Sequence, residues 1–233
     1  MRPEPLPFDL TLLGYGTNVY PLLVEVAADA QKTSPEKLRV QIVHNLPVEQ
    51  GAWREKAPGH WHAPTFVSLV DWIPSGLDGV LMPGVLREPT VSIVWRLYSE
   101  AKGLRPSDLG VLVHSTAHVA PSATLGPGTW VQPNATVASM SHLGMCCHVN
   151  RNASVGHHNR WGRFCRINPG AHTAGQCHLG EGVTIGMGAV VREGINVGRG
   201  GVVGAGSVVI KHVAEGETVV GIPAKPLQPK VSA

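Results

Sequence analysis

Two adjacent histidines are the residues most suited to chemistry in this chain. They stand in Val155-Gly-His-His-Asn-Arg160. Near neutral pH an imidazole can take a proton from a hydroxyl or an amine. Eighteen residues beyond His157 comes Gly175, in the pair Ala174-Gly175. If the chain returned on itself every eighteen residues, Gly175 would stack one level away from His157. Its backbone N–H could then meet a carbonyl oxygen that gains negative charge. A base beside an amide donor is the minimum equipment for acyl transfer. The plain alternative is a pair of solvent-exposed corner histidines.

The surrounding sequence supplies the eighteen-residue return. Residues 113 to 214 divide into seventeen consecutive six-residue units without an insertion. Val119, Leu125, Val131, Val137, Leu143, Val149 and Val155 open successive units, and Thr173 is the one weak opener. The second position is often glycine, and the fifth is mostly small, as in Ala123, Ala135 and Ala171. A fixed short period is the mark of a solenoid. Three short strands joined by tight corners make one coil, so positions eighteen apart stack. The opening aliphatics point inward, the glycines are expected to serve the corners, and stability comes from coil on coil. His142, Arg160 and His178 then form one outward column, and His148, Arg166 and Thr184 another. The alternation of histidine with arginine disfavours a metal site, and none is expected.

Composition narrows the remaining classes. The 233 residues carry a formal charge of +3, with only 15% charged side chains and no dense basic run, so no nucleic-acid partner is expected. No 18-residue apolar stretch is present and the start, Met1-Arg-Pro-Glu-Pro, is polar. The expectation is a cytoplasmic protein with no membrane partner. The four cysteines, Cys146, Cys147, Cys165 and Cys177, have no CxxC spacing and read as core filler in a reducing compartment.

Residues 1–112 do not repeat. Strands are expected over residues 10–13, 40–43, 78–82 and 110–113, and helices over 19–28 and 88–102, with residues 91, 93, 94, 97 and 101 on the apolar side of the second helix. Strand and helix alternate, which predicts a small parallel α/β domain. Residues 44–77 read as loose. Within them residues 58–64 suit either a substrate rim or loop packing. Gly14 and Gly16 lie between the first strand and first helix, where a phosphate can meet a helix N-terminus. A tight turn that needs glycine explains them equally well.

After residue 214 the repeat breaks and Gly221-Ile-Pro-Ala-Lys225 follows. With the hexapeptide register, this ending resembles the hexapeptide-repeat left-handed β-helix acyltransferases. The arrangement is most similar to bacterial nucleotide-sugar N-acetyltransferases of the sialic-acid and bacillosamine type. The resemblance implies an α/β N-terminal Rossmann-like domain at 1–112, binding a nucleotide sugar, and an all-β left-handed parallel β-helix at 113–233. It implies a homotrimer with acetyl-CoA as co-substrate in the cleft between neighbouring β-helices. The family's base lies in a stretch like Glu-His-Glu/Asp-x-x-x-Gly, matched here by Gly156-His157-His158-Asn-Arg-Trp-Gly162. That spacing selects His157 as base, with His158 standing where the family has an acid. Phe164-Cys-Arg-Ile-Asn-Pro-Gly-Ala171 puts Arg166 in place of a histidine that contacts acetyl-CoA. Gly175 matches the glycine whose amide faces the thioester, and Met187 and Ala205 match contacts to the pantetheine and adenine ends. The family's Gly-x-Gly-Gly-His-Gly corresponds to Gly14-Tyr-Gly-Thr-Asn-Val19. Gly14, Gly16, Asn18, His44 and Asn45 are therefore the expected nucleotide-sugar contacts.

The resemblance points to direct N-acetylation of an amino group on a nucleotide-linked dideoxyamino sugar, for surface glycan assembly. O-acetylation, or another acyl group or acceptor, keeps the same chemistry. A non-catalytic trimeric β-helix that binds a nucleotide sugar or a partner is the reading from a different class.

Overall fold

The computed structural model describes residues 9–14, 20–44, 64–74, 80–85 and 89–227. The chain separates into two compact units, Met1–Val113 and His114–Ala233.

The first unit is built on a four-stranded parallel sheet in the order β3-β2-β1-β4. Its elements run β1 (Leu10–Leu13), α1 (Tyr20–Ala30), β2 (Val40–His44), β3 (Thr65–Ser68), β4 (Val80–Pro83) and α2 (Thr90–Lys102). All four residues of β1 are buried, as a central strand covered on both faces requires. Helix α2 turns Val91, Val94 and Tyr98 inward, a spacing of three and four. It leaves Ile93 exposed and ends on Gly103 in the left-handed conformation. Strand β3 lies within the stretch expected to be loose. It is short, only partly buried, and Thr65 at its start is exposed, so no apolar alternation marks it. Most of residues 58–64, and residues 75–79 where the third expected strand begins, lie outside the described residues. A two-residue strand, Leu112–Val113, closes this unit, two residues shorter than expected at its start.

In the second unit the register is a physical coil. From His118 to Val209 each strand is two residues long and joins the sixth position of one hexapeptide to the first of the next. Strands eighteen residues apart pair in parallel. Ser154 faces Thr136 and His172, Arg160 faces His142 and His178, and Arg166 faces His148 and Thr184. The opening residues Val131, Val149, Val155, Ile167 and Ile185 are fully buried, and so, nearly, is the weak opener Thr173.

Two expectations about this unit change. The corner conformation belongs to the fourth position and not to the second. Asn134, His158 and Gln176 have φ of 57°, 54° and 59°, and Gly128 and Gly182 occupy the same position at 73°. The second-position glycines answer to closeness instead: a Cβ on Gly156 would stand 2.4 Å from the Ala174 carbonyl carbon one coil away. The column holding His148 is also not outward throughout, because His148 is only 2% exposed and stacks on Trp130 at 4.2 Å.

At its far end the solenoid tightens. Val202 and Val203 pair with Thr218 and Val219, sixteen residues on rather than eighteen. Lys225–Pro226 then folds back antiparallel on Val219 and Val220 and ends the stack.

Candidate active site

The corner between the strands Ser154–Val155 and Arg160–Trp161 carries the two histidines. His157 sits at the third position and His158 at the left-handed fourth. Gly175 occupies the third position of the next coil. The Gln176 N–H donates to the His157 carbonyl at 2.8 Å, and the Gly194 N–H donates to that of Gly175 at 3.0 Å. These bonds hold successive corners one above another.

The imidazole of His157 lies against Gly175. A Cβ on Gly175 would stand 2.4 Å from His157 Cε1, 2.5 Å from Nε2 and 3.0 Å from Nδ1. No residue other than glycine leaves room for the ring in this position. The Gly175 N–H donates to no backbone carbonyl among the described residues, which leaves it available to an incoming oxygen.

His158 shapes the other side of the base. Its Nδ1 lies 3.1 Å from Nδ1 of His157, with the rings nearly perpendicular at 86°. Two imidazole nitrogens at that distance share one hydrogen, so one is the donor and the other the acceptor. With the hydrogen on His157, its Nε2 carries the free lone pair and His158 receives the bond through neutral nitrogen. The position held by an acid in the family's pattern is thus filled by a ring nitrogen within hydrogen-bond distance of His157.

Beneath the corner lies a residue that the sequence reading passed over. Asn159 is fully buried at a fifth position. Its amide nitrogen donates to the carbonyls of Gly156 and Ala174, each at 2.8 Å. Its oxygen accepts from the Trp161 indole N–H at 3.3 Å. The signal was in the register: a large polar side chain stands where neighbouring units carry alanine, serine or cysteine.

The other expected contacts lie elsewhere on the prism. Arg166 is on the sheet opposite the histidine corner. Its Nε and a terminal nitrogen hold Asn168 Oδ1 at 2.9 and 2.6 Å. Met187 and Ala205 stack at the corner that joins that sheet to the one carrying Ser154, and both are exposed. One chain therefore brings His157, His158 and Gly175 together but not Arg166, Met187 or Ala205.

In the first unit, Gly14 directly follows β1 with φ of 78°, and its N–H donates to the Val43 carbonyl at 2.8 Å. The buried Tyr98 hydroxyl donates to the same carbonyl at 2.5 Å, and burial pushes that phenol up to about 12. A Cβ on Gly84 would stand 2.1 Å from the Gly14 carbonyl oxygen, so β1 and β4 close tightly at their C-terminal ends. His44 ends β2 beside Phe66, with ring centroids 6.4 Å apart. Gly16, Asn18 and Asn45 lie outside the described residues.

No protein-family model matches the chain, and no curated protein matches it by sequence. Solved structures do. The acetyltransferase domain of PglB from Neisseria gonorrhoeae FA1090, in complex with acetyl coenzyme A, aligns with a TM-score of 0.76 at 28% identity. The match covers 95% of this chain and 100% of that one. The chain has the fold of the hexapeptide-repeat β-helix acyltransferases. PerB from Caulobacter crescentus, in complex with CoA and GDP-perosamine, shares that fold at 24% identity and a TM-score of 0.77, over 94% of this chain and 97% of that one. WeeI from Acinetobacter baumannii AYE shares it at 21% identity and 0.69, over 94% and 99%.

Proposed function

We propose that the chain is an acetyl-CoA-dependent N-acetyltransferase whose acceptor is the amino group of a nucleotide-linked amino sugar. The observation that carries the reading is the His157 imidazole over Gly175, with its Nδ1 close to that of His158 and the Gly175 N–H without a backbone acceptor among the described residues. The acetyltransferase domain of PglB supplies the co-substrate: that domain matches over its whole length and is in complex with acetyl coenzyme A. PerB, which has the same fold, holds CoA and a nucleotide amino sugar together.

The chemistry follows from the corner. The acceptor nitrogen forms a bond to the thioester carbonyl carbon while His157 Nε2 takes its proton. His157 Nδ1–H keeps its bond to His158, whose neutral Nδ1 faces the new imidazolium. The Gly175 N–H donates to the carbonyl oxygen as that oxygen becomes negative. The carbon–sulfur bond then breaks, and the proton on His157 passes to the departing thiolate. The transfer is direct. Cys177, two residues past Gly175, is fully buried, its thiol pKa is raised by burial, and it donates to the Arg192 carbonyl at 3.3 Å.

The first unit is assigned as a Rossmann-like nucleotide-sugar domain, with Gly14, Gly16, Asn18, His44 and Asn45 as its contacts. Its parallel sheet and the left-handed Gly14 at a strand's C-terminal end suit a phosphate-bearing ligand. Arg166, Met187 and Ala205 are assigned to acetyl-CoA. They lie away from the His157 corner of their own chain, so the co-substrate would run between neighbouring solenoids of a homotrimer. The assigned setting is the cytoplasm.

The test is release of thiol from acetyl-CoA with a panel of amino-sugar nucleotides. Thiol release that depends on the amine is expected. A protein that fails to bind CoA at all overturns the reading.

A further inference from the structure

We infer that Asn159 is a positioning residue that sets the spacing between His157 and Gly175; the inference rests on the acyl-transfer reading of that corner. Elsewhere in the solenoid a fifth-position side chain bonds from one coil to the next. Ser141 Oγ donates to the Gly156 carbonyl at 2.7 Å, and Cys147 and Cys165 reach the Gly162 and Gly180 carbonyls at 3.3 and 3.0 Å. In each case one donor ties one coil to the second-position carbonyl of the next. Asn159 makes this bond too, to Ala174. It alone among these side chains has a second N–H, and that one closes onto Gly156 in its own coil.

The two carbonyls so clamped belong to the residues immediately before His157 and Gly175. The base and the amide donor are thus fixed to one planar group, itself fully buried. The orientation of that group follows from its partners: two carbonyls face the nitrogen and the Trp161 indole N–H faces the oxygen. Serving the indole would need only an acceptor. The bond to Gly156 is surplus to that need, and surplus to the stacking that serine and cysteine achieve with one donor.

Asn159→Cys is the informative variant. Cysteine already occupies fifth positions at 147, 165 and 177, so it fits the interior and keeps one donor for Ala174. It loses the bond to Gly156. Gly156 then keeps only Ser141 and Ala174 only the cysteine, so no single group sets the distance between the two carbonyls; kcat is expected to fall ~10-fold while KM for acetyl-CoA stays within about twofold, since near-attack geometry is lost and the binding surface is not. Trp161→Phe removes the indole N–H and leaves both carbonyl bonds, and is expected to hold kcat within about twofold. An unchanged kcat in Asn159→Cys overturns the inference. So does an equal loss in Trp161→Phe, which would make the asparagine a partner for the indole. Asn159→Ser, which also keeps one donor, is read in the same way if the cysteine variant does not fold.

A second readout needs no turnover. In protein labelled with 13C-histidine, the His157 Cε1 resonance is identified by its loss in His157→Ala. It is expected to move in Asn159→Cys while that of His178 does not; a His157 resonance that stays in place overturns the inference. Should the wild type fail to release thiol, the acyl-transfer reading falls, and the resonance still decides whether Asn159 sets the imidazole.

Discussion

Replacing Gly175 by alanine should separate activity from stability. The backbone there is outside the left-handed region, and the third position of another hexapeptide, at a different corner, holds Ala205, so alanine is tolerated by the main chain. The added Cβ is not tolerated by His157. It would stand 2.4 Å from Cε1, where ordinary contact begins at 3.4 Å, so the ring must retreat by about 1 Å. His157 is exposed and can swing outward without disturbing the coils. A displacement of that size at a reacting group costs ~10²-fold, or about 2.7 kcal/mol of barrier. Folding stability should hold or rise by about 0.4–1 kcal/mol, because alanine restricts the unfolded chain more than glycine. The assay pairs thiol release from acetyl-CoA with thermal denaturation of the same samples. Activity within about threefold of the wild type would refute the placement of the imidazole over Gly175. A loss of activity matched by a fall in Tm would refute the claim that the substitution acts on the ring alone.

Two further expectations concern histidines with opposite surroundings. At the corner, His158→Ala removes the acceptor for His157 Nδ1 and should lower kcat ~10-fold, whereas His158→Asp supplies a charged acceptor and should retain activity; thiol release with equal rates in both variants would contradict the role given to the 3.1 Å contact. Away from the corner, burial first, and then the charges of Arg166 and Arg151, hold His148 well below the ordinary 6.5. The unfolded chain therefore takes up that proton first. Stability present above pH 6.5 should be lost as pH falls through it, by about 1.4 kcal/mol per pH unit until the folded imidazole also titrates. Thermal denaturation between about pH 7.5 and about pH 5 should show a steeper fall for the wild type than for His148→Gln, and parallel curves would contradict this.

The sequence made the solenoid legible because its period is unbroken, and the period places Gly175 one coil from His157. The reason for the second-position glycines was hidden. A close approach between coils leaves the same mark in a sequence as a left-handed turn, and the true turn position is occupied by residues as different as Asn134, Phe164 and Gln176. The burial of His148 was equally hidden, since the register gives which column a residue joins but not what covers that column. Strand β3 went unread because its exposure gives no alternation to follow. Asn159 was visible as an exception to a rule already stated, yet its meaning needed the direction of its amide. That the substituted acid position holds a hydrogen-bonding partner for the base required the ring geometry of His157 and His158.

The central claim is that His157, and not its neighbour, is the base. Steady-state thiol release from acetyl-CoA, measured for His157→Ala beside His158→Ala with the same amino-sugar nucleotide, tests it most directly. The account predicts a loss of ~10²-fold or more in kcat for His157→Ala, a milder one for His158→Ala, and little change in KM for acetyl-CoA in either. A mild effect of His157→Ala together with a severe one of His158→Ala would contradict it.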